Sequence, residues 1–311
     1  MTLIVDNSIL AAVAACPSLA AIRYVLHRAA EDGGSAPMRA GTAVHEALGA
    51  FFATSGDRDA ALVALRASYL TWAQANVPAD DRLGFANVQR IVERWMEVHP
   101  PGAWPFVIPD PAYVERPFQV ALTDGIDFVG RMDALGTDPA QGWWVVEVKT
   151  TGRLDERWAR RWRMASQVTG YTWGAGEALG RTISGCFVLG IEMAKLPDDP
   201  KRKCKTHGVA YLECGALHAK FEMRVEPRAP HQLAAWRGEA ERLARTFAAL
   251  TSTVTDAAGV AALSYQGLFN GTCSECAYRD FCAMGRPAAF LETMTREERW
   301  DPLEHARVRA Q

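Results

Sequence analysis

Two acidic residues and a lysine lie close together near the middle of the chain, in a pattern that suits metal-assisted hydrolysis. Asp133 lies in Gly-Arg-Met-Asp-Ala-Leu, and Glu147 and Lys149 lie in Trp-Trp-Val-Val-Glu-Val-Lys. Carboxylate oxygens are the ligands that Mg²⁺ and Mn²⁺ prefer. A metal held there polarises a phosphoryl group and lowers the pKa of bound water, while a neighbouring lysine neutralises charge that develops on phosphate. The three residues therefore predict cleavage of a phosphodiester bond.

Side-chain alternation along a strand places Glu147 and Lys149 on one face and Val146 and Val148 on the other. We expect Asp133 to end the preceding strand of the same sheet, so that its carboxylate reaches Glu147. The backbone carbonyl of Val148 is a further candidate ligand. An ordinary Glu-x-Lys alternation on a surface strand is the competing interpretation. The apolar residues before Glu147 favour a buried strand, where an unpaired acid would be costly.

Apolar periodicity and turn residues predict a mixed α/β order of elements around these residues. Asp124-Gly125 predicts a hairpin between strands at Tyr113–Leu122 and Ile126–Leu135, followed by a third strand at Trp143–Lys149. Further strands are expected at residues 186–194, 209–213 and 219–225. Helices are expected at residues 8–28, with an interruption at Cys16-Pro17, and at 40–53, 58–75, 85–98, 155–178 and 230–250.

The composition is that of an ordinary globular protein. The chain has 311 residues, of which 49% are hydrophobic and 23% charged, with a formal net charge of −2. This balance argues mildly against a nucleic-acid enzyme, but it is compatible with a local basic groove, because the field in a cleft depends on where the charges lie. No apolar run reaches the roughly 18 residues of a membrane span. Asp6-Asn7-Ser8 predicts a capped helix rather than a signal peptide, so we expect a cytoplasmic protein.

These segments resemble the core of the PD-(D/E)XK nuclease superfamily, in its RecB-type branch. Gly-Arg-Met-Asp followed by Val-Val-Glu-Val-Lys-Thr resembles the core motif, with Met132 where the superfamily's name has proline. Gly41–Glu46 resembles the branch's G-x-x-x-H-E helix, and Gln167–Tyr171 resembles its Q-x-x-x-Y helix. Glu115 stands where the branch often has an acid before the hairpin. The resemblance covers about residues 8–285 and implies a restriction-endonuclease-like mixed β-sheet core flanked by helices, with an N-terminal helical insertion.

The resemblance also suggests roles for residues outside the core motif. His45 would be a third metal ligand beside Asp133 and Glu147, and a histidine packed within its own helix is the alternative. Gln167 and Tyr171 lie four residues apart, so both side chains can point at one site from one helix face. We expect them to position substrate phosphate or water, and a polar helix edge is the alternative.

The cysteines suggest a second metal site. Their number, seven, is odd and fits a secreted disulfide framework poorly. Cys273, Cys276 and Cys282 lie close together, and Cys16 is the candidate fourth ligand. Four sulfurs suit an iron–sulfur cluster or structural zinc, although paired C-x2-C units are more usual for zinc. The resemblance implies a 4Fe-4S cluster, as in CRISPR-associated adaptation nucleases and AddB-type subunits, that staples the C-terminal segment to the N-terminal helix.

Positive charge follows the candidate catalytic strand closely. Arginines track a phosphate backbone, and aromatic rings stack on bases. The candidate nucleic-acid contacts are Arg153, Arg157, Trp158, Arg160, Arg161, Trp162 and Arg163. A second basic run, Lys201–Lys205, fits a solvated loop equally well.

The sequence predicts a metal-dependent DNA exonuclease that uses Mg²⁺ or Mn²⁺ at single-stranded ends, in recombination, repair or spacer acquisition, with protein partners from those processes. The exonuclease and single-strand parts come from the resemblance. A non-catalytic iron–sulfur DNA-binding subunit, a zinc-stapled nuclease and a structure-specific endonuclease are the alternatives. Residues 1–285 are expected to form one nuclease domain, with a helical part (1–100), a catalytic sheet core (110–225), and a long helix with the cysteines (228–285). A polar tail (286–311) is expected to follow.

Overall fold

A computed structural model describes residues 2–30, 35–79, 81–193, 203, 208–209, 219–264 and 266–307. In these parts of the chain the strands are β1 (Leu3–Val5), β2 (Arg28–Ala30), β3 (Val114–Thr123), β4 (Ile126–Thr137), β5 (Trp143–Thr151), β6 (Ile183–Glu192), β7 (Phe221–Pro227) and β8 (Thr295–Glu297). The first helices are α1 (Asn7–Ala15), α2 (Pro17–Ala20), α3 (Ala36–Ala53), α4 (Arg58–Leu65), α5 (Thr71–Asn76), α6 (Phe85–Val98), α7 (Glu156–Arg161) and α8 (Ser166–Leu179). The later helices are α9 (Pro230–Thr253), α10 (Ala257–Ala261), α11 (Gly267–Asn270), α12 (Arg279–Ala283), α13 (Ala288–Met294) and α14 (Pro302–Arg307).

Six of the strands form one mixed sheet. β3 and β4 form the predicted antiparallel hairpin, and Gly125 in its turn has a φ of +73°, which glycine adopts without strain. β4 pairs antiparallel with β5, β5 parallel with β6, and β6 antiparallel with β7. β1 runs parallel to the first residues of β4, with Leu3 opposite Ile126. The predicted mixed sheet is confirmed.

Helices cover both faces of the sheet, because β5 is apolar on both. Val145 belongs to a core that includes side chains of α1, α8 and α9. Val146 and Val148 belong to a second core, formed with α3 and α6. None of the described helices combines the length and apolar character needed to span a membrane.

α3 lies close to the sheet because two glycines face it. A Cβ atom at Gly41 would lie 2.9 Å from the Thr150 hydroxyl oxygen, and one at Gly49 would lie 3.3 Å from Cγ of Glu115. His45 lies midway between the two glycines and therefore faces the sheet with them. Larger residues at either glycine would move this histidine away from β4.

Most predicted helices begin and end near the observed ones, and the prediction at 85–98 coincides with α6. The predicted helix at 155–178 is instead divided, because Ala165 adopts an extended conformation between a 3-10 turn that follows α7 and the start of α8. Most of the strand predicted at 209–213 lies outside the described residues. Its predicted partner at 219–225 corresponds to β7, which pairs with β6.

The prediction of a polar tail over residues 286–311 needs correction. β8 pairs antiparallel with β2, so this segment returns to the N-terminal part of the chain. The indole N–H of Trp300 donates a hydrogen bond of 2.9 Å to Asp6, and its ring packs edge-on against Tyr24 at a centroid distance of 5.8 Å. Leu291 is also buried. These few apolar side chains anchor the segment in spite of its polar composition.

Candidate active site

β4 and β5 separate at the candidate site. Their backbone pairing ends at Ala134 and Val146, although both strands continue beyond this pair. The Asp133 side chain replaces a backbone partner there, because its Oδ2 accepts a hydrogen bond of 2.7 Å from the Val148 N–H. Asp133 therefore lies inside β4 and not at its end, which corrects the sequence prediction. Side chains from helices on both faces of the sheet meet at this separation.

Asp133 is held on both of its oxygens. Its Oδ1 lies 3.0 Å from Nδ1 of His45, which α3 contributes from one face of the sheet. Burial by itself would raise the pKa of Asp133, but His45, Lys149 and the Val148 hydrogen bond outweigh it and lower the pKa to about 2. Asp133 is therefore ionised at neutral pH.

Glu147 is buried with only half of its carboxylate satisfied. The residue is 1% exposed. Its Oε2 accepts hydrogen bonds from Lys149 Nζ at 2.7 Å and from Gln167 Nε2 at 3.5 Å, whereas Oε1 has no hydrogen-bond partner among the residues that the structure describes. Burial raises the pKa of Glu147 to about 7, because the attraction of Lys149 offsets it only in part and the negative Asp133 adds to it. A buried carboxylate oxygen without a partner is costly, and a bound cation would satisfy it.

Lys149 and Tyr171 complete the cluster around Glu147. Burial alone would lower the pKa of Lys149, but the charges of Glu147 and Asp133 outweigh it and raise that pKa above its usual range. Burial raises the pKa of Tyr171, and the negative charge of Glu147 adds to the rise. The tyrosine is therefore a neutral hydroxyl group and the lysine a fixed cation at neutral pH.

The glycine of the Gly-Arg-Met-Asp segment makes room for this cluster. A Cβ atom at Gly130 would lie 2.8 Å from Cε1 of Tyr171 and 2.6 Å from Cζ of Phe118. Real Cβ atoms are not found at such distances, so a side chain at this position would push both rings away. Gly130 thus lets α8 lie close enough to β4 to bring Tyr171 to the acids.

An ion pair beside the site was not foreseen from the sequence. Glu115 Oε2 lies 2.7 Å from Nε of Arg131, and both side chains are largely buried. Arg131 lies two residues before Asp133, and Glu115 packs against Gly49, one helical turn after His45. The pair therefore connects the two elements that carry His45 and Asp133. Glu115 has a φ of +49°, a conformation that costs a non-glycine residue energy.

The arginine segment, residues 153–163, separates into an inner and an outer face. Trp158 and Trp162 are each 4% exposed and pack edge-on against each other, with 5.6 Å between ring centroids. They belong to the core and cannot stack on bases, which corrects the sequence prediction. All five arginines of the segment are exposed. Arg157 and Arg163 have no ion-pair partner among the described residues.

The four predicted cysteine ligands line one apolar cavity of about 270 Å³, here called the cysteine cavity. They are Cys16, Cys273, Cys276 and Cys282. A Cβ atom at Gly267 would lie 2.8 Å from the sulfur of Cys273, so a glycine is needed in the wall of this cavity. Burial raises the pKa of the Cys276 and Cys282 thiols, and the neighbouring cysteines add to the effect. Cys186 lies buried in the core, whereas Cys204, Cys214 and most of Lys201–Lys205 lie outside the described residues.

The residues around Glu147 are not arranged as ligands of a metal ion, and neither are the four cysteines of the cavity. Within the stretches that the structure describes, no three His, Cys, Asp or Glu side chains converge to hold a metal ion. His45 instead contacts Asp133, and Glu147 contacts Lys149. The predicted ligand roles of these residues are therefore left as proposals.

Comparison with known families agrees with this arrangement. A profile of the PD-(D/E)XK nuclease superfamily matches residues 7–283, a range that contains the acids, the lysine and all four cysteines of the cavity. A search of curated proteins found no match. The predicted restriction-endonuclease-like fold is confirmed by the family and the mixed sheet together. The chain belongs to the PD-(D/E)XK nuclease superfamily, whose nucleases use divalent metals such as Mg²⁺ or Mn²⁺.

Proposed function

We propose that the protein is a DNA exonuclease that hydrolyses phosphodiester bonds at single-stranded ends with Mg²⁺ or Mn²⁺. The observation that carries the proposal is the Glu147 carboxylate. It is buried, one of its oxygens has no hydrogen-bond partner in the described parts of the chain, and it lies in one cluster with Asp133. A divalent cation is the partner that Oε1 of Glu147 lacks among the described residues. The family supports the nuclease activity, and the preference for ends rests on the RecB-type resemblance.

His45, Asp133 and Glu147 would hold the metal, with the Val148 carbonyl as a further ligand. When bound, the metal supplies a Lewis acid for the phosphoryl oxygen and lowers the pKa of a bound water. Lys149 fixes the Glu147 carboxylate through its hydrogen bond of 2.7 Å and supplies positive charge next to it. This charge would stabilise the negative charge that develops on phosphate.

Gln167 and Tyr171 would position the substrate or the attacking water. They approach the acids from α8, on the sheet face opposite to α3, and Gln167 Nε2 lies 3.5 Å from Oε2 of Glu147. Each carries an uncharged N–H or O–H donor that can bind a phosphate oxygen. The exposed arginines of the arginine segment would bind the DNA backbone. Arg157 and Arg163 would contribute most, because among the described residues neither forms an ion pair or, unlike Arg161, packs over a tryptophan ring.

We further propose that the cysteine cavity holds a 4Fe-4S cluster. Its four thiols are the donor set that such a cluster requires. Bound there, the cluster would join the end of α1 to the segment that follows α11. Zinc is the alternative occupant. Brown colour and absorbance near about 400 nm, with iron and sulfide in anaerobically purified protein, would identify the cluster, whereas zinc alone would exclude it.

The activity is tested with three end-labelled or circular DNA substrates in the presence of Mn²⁺. An exonuclease for single-stranded ends degrades linear single-stranded DNA, acts weakly on blunt duplex DNA, and leaves circular single-stranded DNA intact. Cleavage of the circle would show an endonuclease instead. Binding of DNA without cleavage of any substrate would favour the non-catalytic subunit. Lys149→Ala serves as the control for contaminating nucleases.

The biological setting remains part of the proposal. Recombination, repair and spacer acquisition all require processing of DNA ends, and each would bring its own protein partners. The cytoplasmic location and the single nuclease domain at residues 1–285 likewise stay predictions.

A further inference from the structure

A buried arginine lies in the wall of the cysteine cavity. Arg286 is 4% exposed and follows Cys282 by four residues. Its φ of +63° is uncommon for a residue with a side chain, and Gly285 before it also has a positive φ, of +80°. Two successive left-handed residues reverse the chain after α12, and the reversal brings the guanidinium group back to the cavity.

The guanidinium group is fixed from several directions. One terminal nitrogen, Nη1, donates hydrogen bonds to the carbonyl oxygens of Val260 at 2.9 Å and Leu263 at 2.6 Å. The other, Nη2, donates to the Ser18 hydroxyl at 3.1 Å. The same side chain lines the cavity beside the Cys282 thiol, and its positive charge counteracts part of the rise in pKa that burial causes at that thiol. Since Ser18 lies two residues after Cys16, Arg286 connects the part of the chain that carries Cys16 with the helix that carries Cys282.

We infer that Arg286 is a positioning residue for the cysteine-bound cofactor, which fixes Cys282 for ligation and raises the reduction potential of the cluster. The inference rests on the proposed 4Fe-4S cluster. A cluster with four thiolate ligands is a dianion when oxidised and gains a further negative charge on reduction. A buried cation beside one ligand sulfur stabilises the more negative form, because the charge and the hydrogen bonds around the sulfurs set the potential of such clusters.

Arg279 provides a matched control. It lines the same cavity, yet its side chain is 58% exposed and makes its contacts with Ser274 and Asp280. Its charge is therefore screened by water, and its substitution should leave the ligand sulfurs in place. If only the Arg286 variants change the reduction potential and the iron retention, the effect comes from the position of Arg286 beside Cys282. If the Arg279 variant changes them equally, it comes from positive charge near the cavity in general.

The test compares anaerobically purified wild-type protein with Arg286→Gln, Arg286→Lys and Arg279→Gln. Iron and sulfide content are measured, then iron loss to a chelator, and then the reduction potential in a dithionite titration followed by electron paramagnetic resonance. Arg286→Gln should shift the potential to more negative values and release iron roughly 10-fold faster, as is typical when a partner of a metal ligand is removed. Arg286→Lys, which keeps the charge but not the planar fork, should show a smaller shift in the same direction. Arg279→Gln should match the wild type.

An Arg286→Gln protein with the wild-type potential and iron retention would overturn the inference. If circular dichroism shows that this variant does not fold, Arg286→Lys decides, and an unchanged potential and iron retention in that variant would also overturn it. Wild-type protein without iron and sulfide would refute the cluster itself, which is a different result from an iron-bearing protein whose variants show no shift.

Discussion

Nδ1 of His45 lies 3.0 Å from Oδ1 of Asp133, although the two residues are 88 positions apart in the chain. The contact joins α3, on one face of the sheet, to β4 at the point where β4 separates from β5. Gln167 reaches Glu147 from α8, on the opposite face. Side chains from both helical layers therefore meet where β4 and β5 separate. The geometry of the candidate active site depends on this separation.

Substitution of His45 should weaken metal binding more than it weakens the fold. We expect His45→Gln to lower the affinity for Mn²⁺ by at least roughly 10-fold, because glutamine keeps a polar side chain but is a poor substitute for an imidazole ligand. Isothermal titration calorimetry measures this directly. His231→Gln is the control, since His231 is exposed at the start of α9. Equal Mn²⁺ affinities in the two variants would remove His45 from the proposed ligands.

The contribution of Glu147 to the stability of the metal-free protein should fall as the pH rises towards neutrality. The pKa of Glu147 is about 7 in the folded protein and near its usual 4.5 in the unfolded chain, so the folded state binds the proton more tightly. This contribution to stability is fully present below about pH 4.5 and is lost as the pH passes 7. Its size is on the order of 3 kcal/mol.

Chemical denaturation at several pH values between 5 and 8 tests this effect. Wild type should lose stability over that range relative to Glu147→Gln, which carries no charge at this position. Added Mn²⁺ should restore the stability of wild type at pH 7.5 by binding to the folded state, and should do so less for the variant. Parallel pH profiles for the two metal-free proteins would contradict the assigned burial and charge of Glu147.

The exposed arginines should contribute to DNA affinity without recognising the base sequence of the DNA. Arg157→Gln and Arg163→Gln should each weaken binding to single-stranded DNA and reduce the salt dependence of the dissociation constant by about one phosphate contact. Arg242→Gln is the control, because Arg242 is also exposed but forms an ion pair with Glu239 on α9. Fluorescence anisotropy at several salt concentrations measures both quantities. If all three substitutions weakened DNA binding equally, the effect would come from the loss of a surface charge in general and not from contacts of Arg157 and Arg163 with DNA.

The close packing at Gly130 should make it intolerant of a methyl group. Gly130→Ala places a Cβ atom in contact with Tyr171 and Phe118, so we expect both lower stability, by about 1–3 kcal/mol, and slower cleavage. Gly238→Ala is the opposite case, because a Cβ atom at Gly238 in α9 would have no described atom within 4 Å. Alanine there should stabilise the helix by about 0.5–1 kcal/mol and leave cleavage unchanged. Thermal unfolding and a cleavage assay on the same preparations distinguish the two.

Local sequence patterns predicted the helices and strands well where apolar residues recur with a regular period, or where a tight turn requires residues such as Asp-Gly. The i, i+3, i+4 pattern around Val92 gave α6 its observed bounds, and Asp124-Gly125 located the hairpin. The same reasoning could not show that β4 and β5 separate at Asp133. That separation depends on the Val148 N–H bonding to a side chain instead of the neighbouring strand, which is a tertiary effect.

The arginine segment shows a second limit of sequence reasoning. Arginine and tryptophan alternate there in a way that suits nucleic-acid binding, but Trp158 and Trp162 are buried against each other. A short amphipathic helix turns its indole rings to the core and its guanidinium groups to water, so composition alone misassigned the rings. Arg286 was missed because nothing in its sequence context indicates burial. Its role depends on carbonyl groups that lie more than 20 residues earlier in the chain.

The most direct test of the central claim is the rate of Mn²⁺-dependent cleavage of linear single-stranded DNA by wild type and by Glu147→Gln. The substitution keeps the shape of the side chain but removes the negative charge proposed to bind the metal. Loss of an interaction worth several kcal/mol corresponds to a rate reduction of roughly 100-fold or more. We predict active wild type and a variant slowed by at least that factor at saturating Mn²⁺. A Glu147→Gln protein that cleaves DNA as fast as wild type would contradict the assignment of this site.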